Sequence, residues 1–377
     1  MELGSIVQLL ENKAMLVTGA TGFLGKIFVE KILGNSELFR VLKEKWGPNF
    51  SSSISQKVTV LPGDLCLEDM GLKDSMLREE MRNQVDFVIN LAAATNFDER
   101  YDVALDLNTF EAKHGKEVRM ANTYVFTKAM GEMLIGHLKE NMSVAIIRPT
   151  IVTSTFKEPF PGWVEGFRTI DSLLGAYGKG KLTCFPCDLK GILDLIPADM
   201  VVNAIIVSMA AHANQPSDAI YQVGSSARNP TTNRILQEAS FRYFSQKPWI
   251  DRDGHPVKVR KALVLGDMKS FRRYMAIRYL LLLKGLKLAN VALCQYFRGR
   301  YLNLRRKINI VMRLVDLYKP YLFFKGVFDD MNTEKLRMAV REGGTEADVF
   351  YFDPKCLDWE DYFLNTHLPG IVKYVLK

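Results

Sequence analysis

Short apolar runs alternate with stretches of helical periodicity between residues 14 and 223. Five of the runs have the length of a buried strand, and most of them end at glycine or proline. They cover residues 14–18, 58–61, 85–91, 143–148 and 219–223. Strands that alternate with helices predict an α/β fold, in which a parallel sheet carries helices on both faces.

The alternation fades from about residue 229, where the chain becomes helical, aromatic and basic. A chain of 377 residues is longer than one hydrophobic core usually serves. We therefore expect two domains, a sheet domain over residues 1–228 and a mainly helical domain over residues 229–377. The first residues predict one short amphipathic helix and lack the pattern of a secretory signal.

A glycine-rich turn follows the first predicted strand and precedes a helical pattern over residues 26–33. Glycines allow a tight turn and a close approach to a pyrophosphate, and the helix N-terminus offers free N–H groups. Strand, glycine turn and helix together predict a nucleotide-binding turn. Its candidate residues are Thr18, Gly19, Ala20, Thr21, Gly22, Phe23, Leu24 and Gly25.

Ligands of parallel α/β folds bind beyond the carboxyl ends of the strands. Several polar or small residues stand at such ends in this sequence. They are Asp64, Leu65, Asn90, Ala92, Ala93, Pro149, Thr150 and Ile151. Small residues also occur in turns that pack against helices, and aspartates in solvated turns. The positions alone therefore do not distinguish cofactor-binding residues from ordinary turns.

Tyr124 and Lys128 are four residues apart, which places them on one face of a helix. A phenol can act as a general acid, and a nearby lysine charge favours the phenolate. Such a pair also occurs by chance on ordinary helices. The glycine turn upstream and Arg148-Pro149 downstream favour an active-site pair.

Composition narrows the function classes. The five cysteines are scattered and odd in number, which favours a reducing compartment, and the CxxC spacing at Cys184 and Cys187 lacks a second ligand pair. No metal site is therefore predicted.

The net charge of +8 suits a phosphate-rich cofactor, an anionic ligand or an acidic membrane surface. No nucleic-acid-binding signature is present, so no nucleic-acid partner is expected.

Residues 274–297 form the most apolar stretch, but Arg278, Lys284 and Lys287 interrupt it, so it is a poor membrane span. A basic, apolar helix over about residues 274–307 is typical of peripheral contact with an anionic membrane. A helix that covers a hydrophobic cleft explains the same pattern, and the sequence leaves both interpretations open.

Several long strings make the sequence similar to the plant alcohol-forming fatty acyl-CoA reductases, within the extended short-chain dehydrogenases/reductases. Among these strings are TGATGFLG, NTYVFTKAMGEML, YGKGKLTCF, IPADMVVNAI and RLVDLYKPYLFFKGVFDD, and the C-terminal block resembles the male-sterility-type domain of that family. The resemblance implies a Rossmann-like, doubly wound parallel sheet and a mainly helical C-terminal domain. It also implies that NADPH reduces a long-chain acyl-CoA to an aldehyde and then to a primary alcohol, in lipid or wax biosynthesis. We expect the protein to be intracellular, either cytosolic or peripheral on the cytosolic face of the endoplasmic reticulum.

The resemblance implies a role for each candidate residue. Tyr124 would donate the proton, and Lys128 would lower the pKa of the tyrosine and hold the nicotinamide ribose. The remaining positions would line the cofactor: Asp64 and Leu65 at the adenine, Asn90, Ala92 and Ala93 along it, and Pro149, Thr150 and Ile151 beside the nicotinamide.

Two segments of the family pattern have no counterpart here. A strand expected after Leu33 is missing, and only twelve residues lie between Phe110 and Thr123, where the family has a helix and a strand with a catalytic serine. No serine occurs between Ser75 and Ser143. Two other interpretations therefore stay open: a catalytically impaired isoform or truncated gene model of the family, and a non-enzymatic acyl-CoA or lipid-binding protein.

Overall fold

The computed structural model describes residues 5–33, 57–65, 67–93, 123–213, 217–342 and 346–376. Within these ranges the strands are β1 Met15–Thr18, β2 Phe87–Asn90, β3 Val144–Pro149, β4 Ile151–Thr153, β5 Cys184–Pro186, β6 Ile192–Leu193, β7 Leu195–Pro197, β8 Asp218–Val223, β9 Thr231–Thr232 and β10 Leu263–Leu265. The α-helices are α1 Ile6–Leu10, α2 Phe23–Ile32, α3 Ser75–Gln84, α4 Thr123–Leu138, α5 Thr169–Gly178, α6 Ala198–His212, α7 Asn233–Gln246, α8 Met268–Met275, α9 Leu281–Ala292, α10 Arg298–Leu322, α11 Met331–Glu342, α12 Trp359–Asp361 and α13 Leu368–Gly370. Short 3₁₀ helices lie at Glu68–Gly71 and Pro354–Cys356, and π-helical segments at Ala276–Leu280, Tyr362–His367 and Ile371–Val375.

The chain divides into two compact units, and each draws on three separate stretches. The first unit comprises residues 1–165, 195–227 and 328–356, and the second comprises residues 166–194, 228–327 and 357–377. The chain passes from one unit to the other five times. The predicted division into residues 1–228 and 229–377 stays a prediction.

The sequence predicts a parallel sheet, and the described part of the first unit contains three separate two-stranded parallel pairs. β1 pairs with β2, β3 with β8 and β4 with β7, and all three pairs are parallel. Parallel neighbours so far apart in the sequence require crossover connections, which is the arrangement of an α/β fold. The predicted strands at 14–18, 85–91, 143–148 and 219–223 are thereby confirmed, with shifts of one or two residues at their ends.

The predicted strand over residues 58–61 is wrong. These residues belong to no strand, and the side chain of Val60 is 86% exposed. A strand exists only through the pairing of its backbone with a neighbour, so a short apolar run does not form one by itself. The interpretations that concern the missing second strand and the missing serine fall on residues 34–56 and 94–122, which lie outside the described residues.

Helix α6 forms the centre of the first unit. All of its side chains from Ala198 to Ser208 are buried, and α2 packs against it. In its first turn, the carboxylate of Asp199 accepts hydrogen bonds from the backbone N–H groups of Phe156 and Lys157, both at 2.8 Å, and of Glu158 at 3.1 Å. These bonds fix the loop that follows β4, and they hold a carboxylate whose pKa burial raises.

The second unit combines two short strand pairs with helices. β5 pairs with β10 in parallel, and β6 pairs with β9 in antiparallel orientation. A buried cluster joins three of its elements. It consists of Cys184 of β5, Phe271 and Met275 of α8, and Ile308 and Val315 of α10. Among the described residues, no helix is both long and apolar enough to cross a bilayer.

Candidate functional site

The glycine turn joins β1 to α2 in the first unit. Gly19 has a φ of +70°, and a Cβ built on it would lie 2.6 Å from the backbone nitrogen of Ala92. A side chain at this position would therefore collide with the segment that follows β2. Only glycine combines this left-handed conformation with so close an approach of two backbones.

The start of α2 packs directly onto the same turn. A Cβ on Gly25 would lie 2.2 Å from the carbonyl oxygen of Gly19, and the N–H of Gly22 donates to that same oxygen at 2.9 Å. Gly22 caps the helix without a side-chain hydrogen bond. The first N–H groups of a ten-residue helix are consequently not covered by a capping side chain.

Side-chain contacts tie the ends of β1 and β2 together. The hydroxyl of Thr18 donates to Oδ1 of Asn90 at 2.7 Å, and the N–H of Ala92 donates to the same oxygen at 3.2 Å. The N–H of Leu91 donates to the carbonyl of Thr18 at 3.1 Å. The structure thus brings Thr18, the turn, Asn90 and Ala92 together, and Ala93 follows them in the chain.

A second group of predicted residues lies on α4 and β3. Nε of Arg148 donates to both carboxylate oxygens of Glu132, at 3.0 and 3.2 Å, and joins the helix to the strand. Glu132 stands four residues after Lys128, which stands four residues after Tyr124, so the three side chains share a helical face. Burial lowers the pKa of Lys128, and the charge of Glu132 opposes that shift.

Thr150 connects β3 to β4 between two other predicted residues, Pro149 and Ile151. Its N–H donates to the carbonyl of Val223 at 3.0 Å. Its Oγ1 is buried and has no hydrogen-bond partner among the described residues. Buried hydroxyls are normally paired, so this one is available to a ligand.

Asp64 and Leu65 lie in a local turn. The N–H of Asp64 donates to the carbonyl of Met70 at 2.7 Å, and its carbonyl accepts from the N–H of Leu67 at 3.1 Å. The side chain of Asp64 is exposed and that of Leu65 is half-buried. Their predicted position at the adenine stays a prediction, because the contacts that define this turn are local.

These features together fit a dinucleotide. The turn presents backbone in a space that a Cβ would fill, α2 offers its N-terminal N–H groups, and Thr150 offers an unpaired buried hydroxyl. Backbone N–H groups at a helix N-terminus and a glycine turn are the groups that hold a pyrophosphate. Among the described residues, no group of three or more His, Cys, Asp or Glu side chains could hold a metal ion.

Sequence reasoning misses two features of this region. It notes Arg148 only as part of a motif, although the position of Glu132 on the face of Tyr124 and Lys128 is a signal for the ion pair. It also misses Glu30 of α2, which is buried with its Oε1 unpaired. Burial, then the nearby Glu158, raises the pKa of Glu30 to about 7, while Lys31 lowers it.

Two protein-family models match this sequence. A family model for an NAD-binding domain, described as "Male sterility protein", matches residues 17–114 and 109–205. A second model with the same description matches residues 278–377. The first match breaks at residues 109–114, at the edge of the stretch where the sequence predicts a missing segment.

The chain resembles curated proteins over its full length. It is 44% identical over 490 aligned positions to the alcohol-forming fatty acyl-CoA reductase of Simmondsia chinensis, with 100% of this chain and 99% of the relative covered. It is 40% identical over 485 positions to fatty acyl-CoA reductase 1 of Arabidopsis thaliana, with 98% and 99% covered. The first alignment exceeds the 377 residues of this chain by 113 positions, which agrees with the predicted internal gaps.

Solved structures share the fold. The terminal R domain of the myxalamid PKS-NRPS pathway matches with a TM-score of 0.57 at 16% identity, covering 96% of this chain and 90% of that one. The reductase domain of a nonribosomal peptide synthetase from Mycobacterium tuberculosis matches with a TM-score of 0.50 at 16% identity, covering 90% and 89%. At this identity the two matches support the Rossmann-like α/β fold and nothing finer.

Proposed function

Because this chain belongs to the alcohol-forming fatty acyl-CoA reductase family, we propose that it reduces a long-chain fatty acyl-CoA to the aldehyde and then to the primary alcohol. The observation that carries the proposal is the turn in which Gly19 and Gly25 leave no room for a Cβ, in a chain similar to reductases over its full length. In dinucleotide-binding proteins, such a turn lets the backbone approach the pyrophosphate closely.

We assign proton transfer to α4. Reduction of a carbonyl places negative charge on its oxygen, and the hydroxyl of Tyr124 would donate a proton there. A free phenol has a pKa of about 10, so a cation beside it favours the transfer. Lys128 stands one helical turn away, and Glu132 opposes the effect of burial on the pKa of that lysine.

NADPH is the cofactor that we propose, and when bound it supplies the hydride. The N–H groups at the start of α2, which no capping side chain covers, would hold its pyrophosphate, and Gly19 and Gly25 allow a close approach of the backbone. Asn90 and Ala92 border the turn, and Thr150 offers a buried hydroxyl on the strand side. The choice of NADPH over NADH rests on the family resemblance alone.

Full-length similarity to named reductases favours the active enzyme over an impaired isoform or a pure lipid-binding protein. The absent serine still has a consequence for the rate. Loss of one donor to a developing oxyanion costs on the order of 10²–10³ in rate, so we expect slow turnover. We place the reaction inside the cell, in the cytosol or on the cytosolic face of the endoplasmic reticulum.

The test is oxidation of NADPH by the purified full chain with a long-chain acyl-CoA, alongside NADH as the competing cofactor. We expect acyl-CoA-dependent oxidation of NADPH, faster than that of NADH, and a fatty alcohol as product. Tyr124→Phe should lower kcat by about 10²–10⁴, the usual contribution of a general acid. The matched control is Tyr374→Phe, which removes a hydroxyl in the second unit and keeps the ring that Lys373 contacts at 4.8 Å.

Folded protein that consumes no NADPH in the presence of acyl-CoA would overturn the proposed reaction. Fluorescence titration with NADPH then separates the remaining interpretations. Cofactor binding without turnover would indicate an impaired isoform, and acyl-CoA binding without cofactor binding would indicate a lipid-binding protein.

A further inference from the structure

Four large apolar side chains are exposed along one helical face of the second unit. Ile277, Leu281, Leu288 and Val291 are 64%, 59%, 71% and 68% exposed. Their spacings of four, seven and three residues repeat with the helical period across the π-helical segment and α9. We call these four residues the outer stripe. Apolar side chains so exposed and so regularly aligned mark an interaction surface.

The opposite face of the same helix is packed. Tyr279 and Leu283 contact the buried cluster that includes Phe271 and Met275. These inner contacts fix the rotation of the helix, so the outer stripe faces away from the core of its own unit. The helix therefore covers a hydrophobic cluster, as one of the two sequence interpretations requires, and still leaves a second apolar face uncovered.

The charged residues in the part of the sequence that carries the outer stripe have a single sign. Residues 268–315, here called the basic segment, contain twelve lysines and arginines and no aspartate or glutamate. All twelve side chains are exposed. Because the whole chain carries +8, the remaining residues carry a net charge of −4. The positive charge of the protein is thus concentrated on the segment that exposes the apolar stripe.

Helix α10 adds an exposed face on which the two properties meet. Leu302, Arg306, Ile310 and Arg313 lie along this face, and all four side chains are exposed. Arginines can bind a phosphate group through paired N–H groups. Leu302 and Ile310 can contact acyl chains beside that phosphate. Tyr296, exposed between α9 and α10, is a residue type enriched at membrane interfaces.

We propose that the outer stripe and the basic segment form a peripheral binding surface for a bilayer that contains anionic phospholipid. The apolar side chains would enter the acyl boundary, and the lysines and arginines would contact the phosphates. Charge complementarity selects this occupant, because an acidic bilayer matches a segment with twelve exposed basic residues and no acidic one. The inference is independent of the reductase activity.

The test is co-sedimentation of the full chain with vesicles. We expect binding to phosphatidylcholine mixed with phosphatidylserine, at least tenfold weaker binding to phosphatidylcholine alone, and weaker binding at high salt. Ile277→Ser combined with Leu288→Ser should reduce binding at least tenfold. The matched control is Met76→Ser, since Met76 is an equally exposed apolar residue of the first unit.

A charge-reversed variant tests the electrostatic part. Lys284→Glu combined with Lys287→Glu should reduce binding to the mixed vesicles at least tenfold. Lys73→Glu combined with Lys258→Glu makes the same change in net charge at exposed lysines outside the basic segment and should leave binding within about twofold of wild type. Circular dichroism and thermal unfolding check that every variant folds.

Three results would overturn the proposal. The first is equal binding to vesicles of phosphatidylcholine alone and to the mixed vesicles. The second is that the serine double variant and the Lys284→Glu, Lys287→Glu double variant both bind the mixed vesicles as strongly as the wild type does. The third is a wild type that binds no vesicles and is a dimer, with a monomeric Ile277→Ser, Leu288→Ser double variant. That result would assign the outer stripe to contact with a second copy of the chain.

Discussion

Arg148 binds both carboxylate oxygens of Glu132, and this ion pair joins the helix of Tyr124 and Lys128 to the strand that ends at Pro149. The pair is partly exposed, so its direct contribution to stability is on the order of 1 kcal/mol or less. Its importance lies in position, because it sets where α4 stands relative to the end of β3.

Arg148→Lys should therefore lower kcat by about tenfold with a much smaller change in the unfolding free energy, since lysine cannot make the two-pronged contact. Steady-state kinetics and urea unfolding measure the two effects. Arg242→Lys, in an exposed pair with Glu360, is the control and should change neither quantity. Equal kcat values for wild type and Arg148→Lys would remove the positioning role.

Gly25→Ala should weaken cofactor binding and stability together. The added Cβ would meet the carbonyl of Gly19 at 2.2 Å, and a backbone atom can move away only by displacing the turn. We expect a loss of roughly 1–3 kcal/mol in unfolding free energy and at least tenfold weaker binding of NADPH by fluorescence titration.

The control for this change is Gly136→Ala on α4, where an added Cβ meets nothing within 4 Å. Alanine is the better helix former, so this variant should be as stable as wild type or more stable by up to about 1 kcal/mol. If Gly25→Ala behaves like Gly136→Ala, the turn does not require a glycine at position 25.

Much of this region is readable from the sequence because it is local. The apolar run before Gly19 and the helical spacing after Gly25 lie within a few residues of the turn that they define. The run at residues 58–61 has the same local pattern and forms no strand, because a strand depends on a partner that no local pattern encodes.

Long-range relations set the limit of prediction. The contact of Arg148 with Glu132 spans 16 residues and needs a helix and a strand to be in place. Glu30 lies among the apolar residues of α2, where the sequence predicts a solvated charge, yet its side chain is buried in the structure. Neither pairing nor burial of this kind follows from periodicity alone.

Thr150→Val should affect stability and cofactor binding in opposite directions. An unpaired buried hydroxyl destabilises the protein, and valine has nearly the same shape without it. Without cofactor, we expect the variant to be as stable as wild type or more stable by about 1–2 kcal/mol, whereas NADPH should bind about five- to tenfold more weakly.

Thermal unfolding and fluorescence titration measure these two effects. Thr153→Val is the contrasting variant, because its buried hydroxyl donates to the carbonyl of Ile196 at 3.3 Å. That variant should lose stability by about 1 kcal/mol and bind NADPH like wild type. Unchanged NADPH affinity in Thr150→Val would show that this hydroxyl does not face the cofactor.

Glu30 should make stability depend on pH in the direction opposite to that of a paired surface carboxylate. Its side chain is 1% exposed, and its pKa rises from the ordinary 4.5 to about 7 on folding. Between these two values the unfolded chain has lost the proton and the folded chain retains it, so stability falls as pH rises through this range and then levels off. The full shift corresponds to roughly 3 kcal/mol.

Glu30→Gln keeps the shape of the protonated acid and cannot ionise. Urea unfolding at pH values of about 4.5 and about 8 should give a variant close to wild type at the lower pH and more stable by roughly 2–3 kcal/mol at the higher pH. Glu80→Gln, at an exposed glutamate of α3, should show no such gain. The same pH-dependent difference from wild type in both variants would contradict the assignment, because it could not then arise from the burial of Glu30.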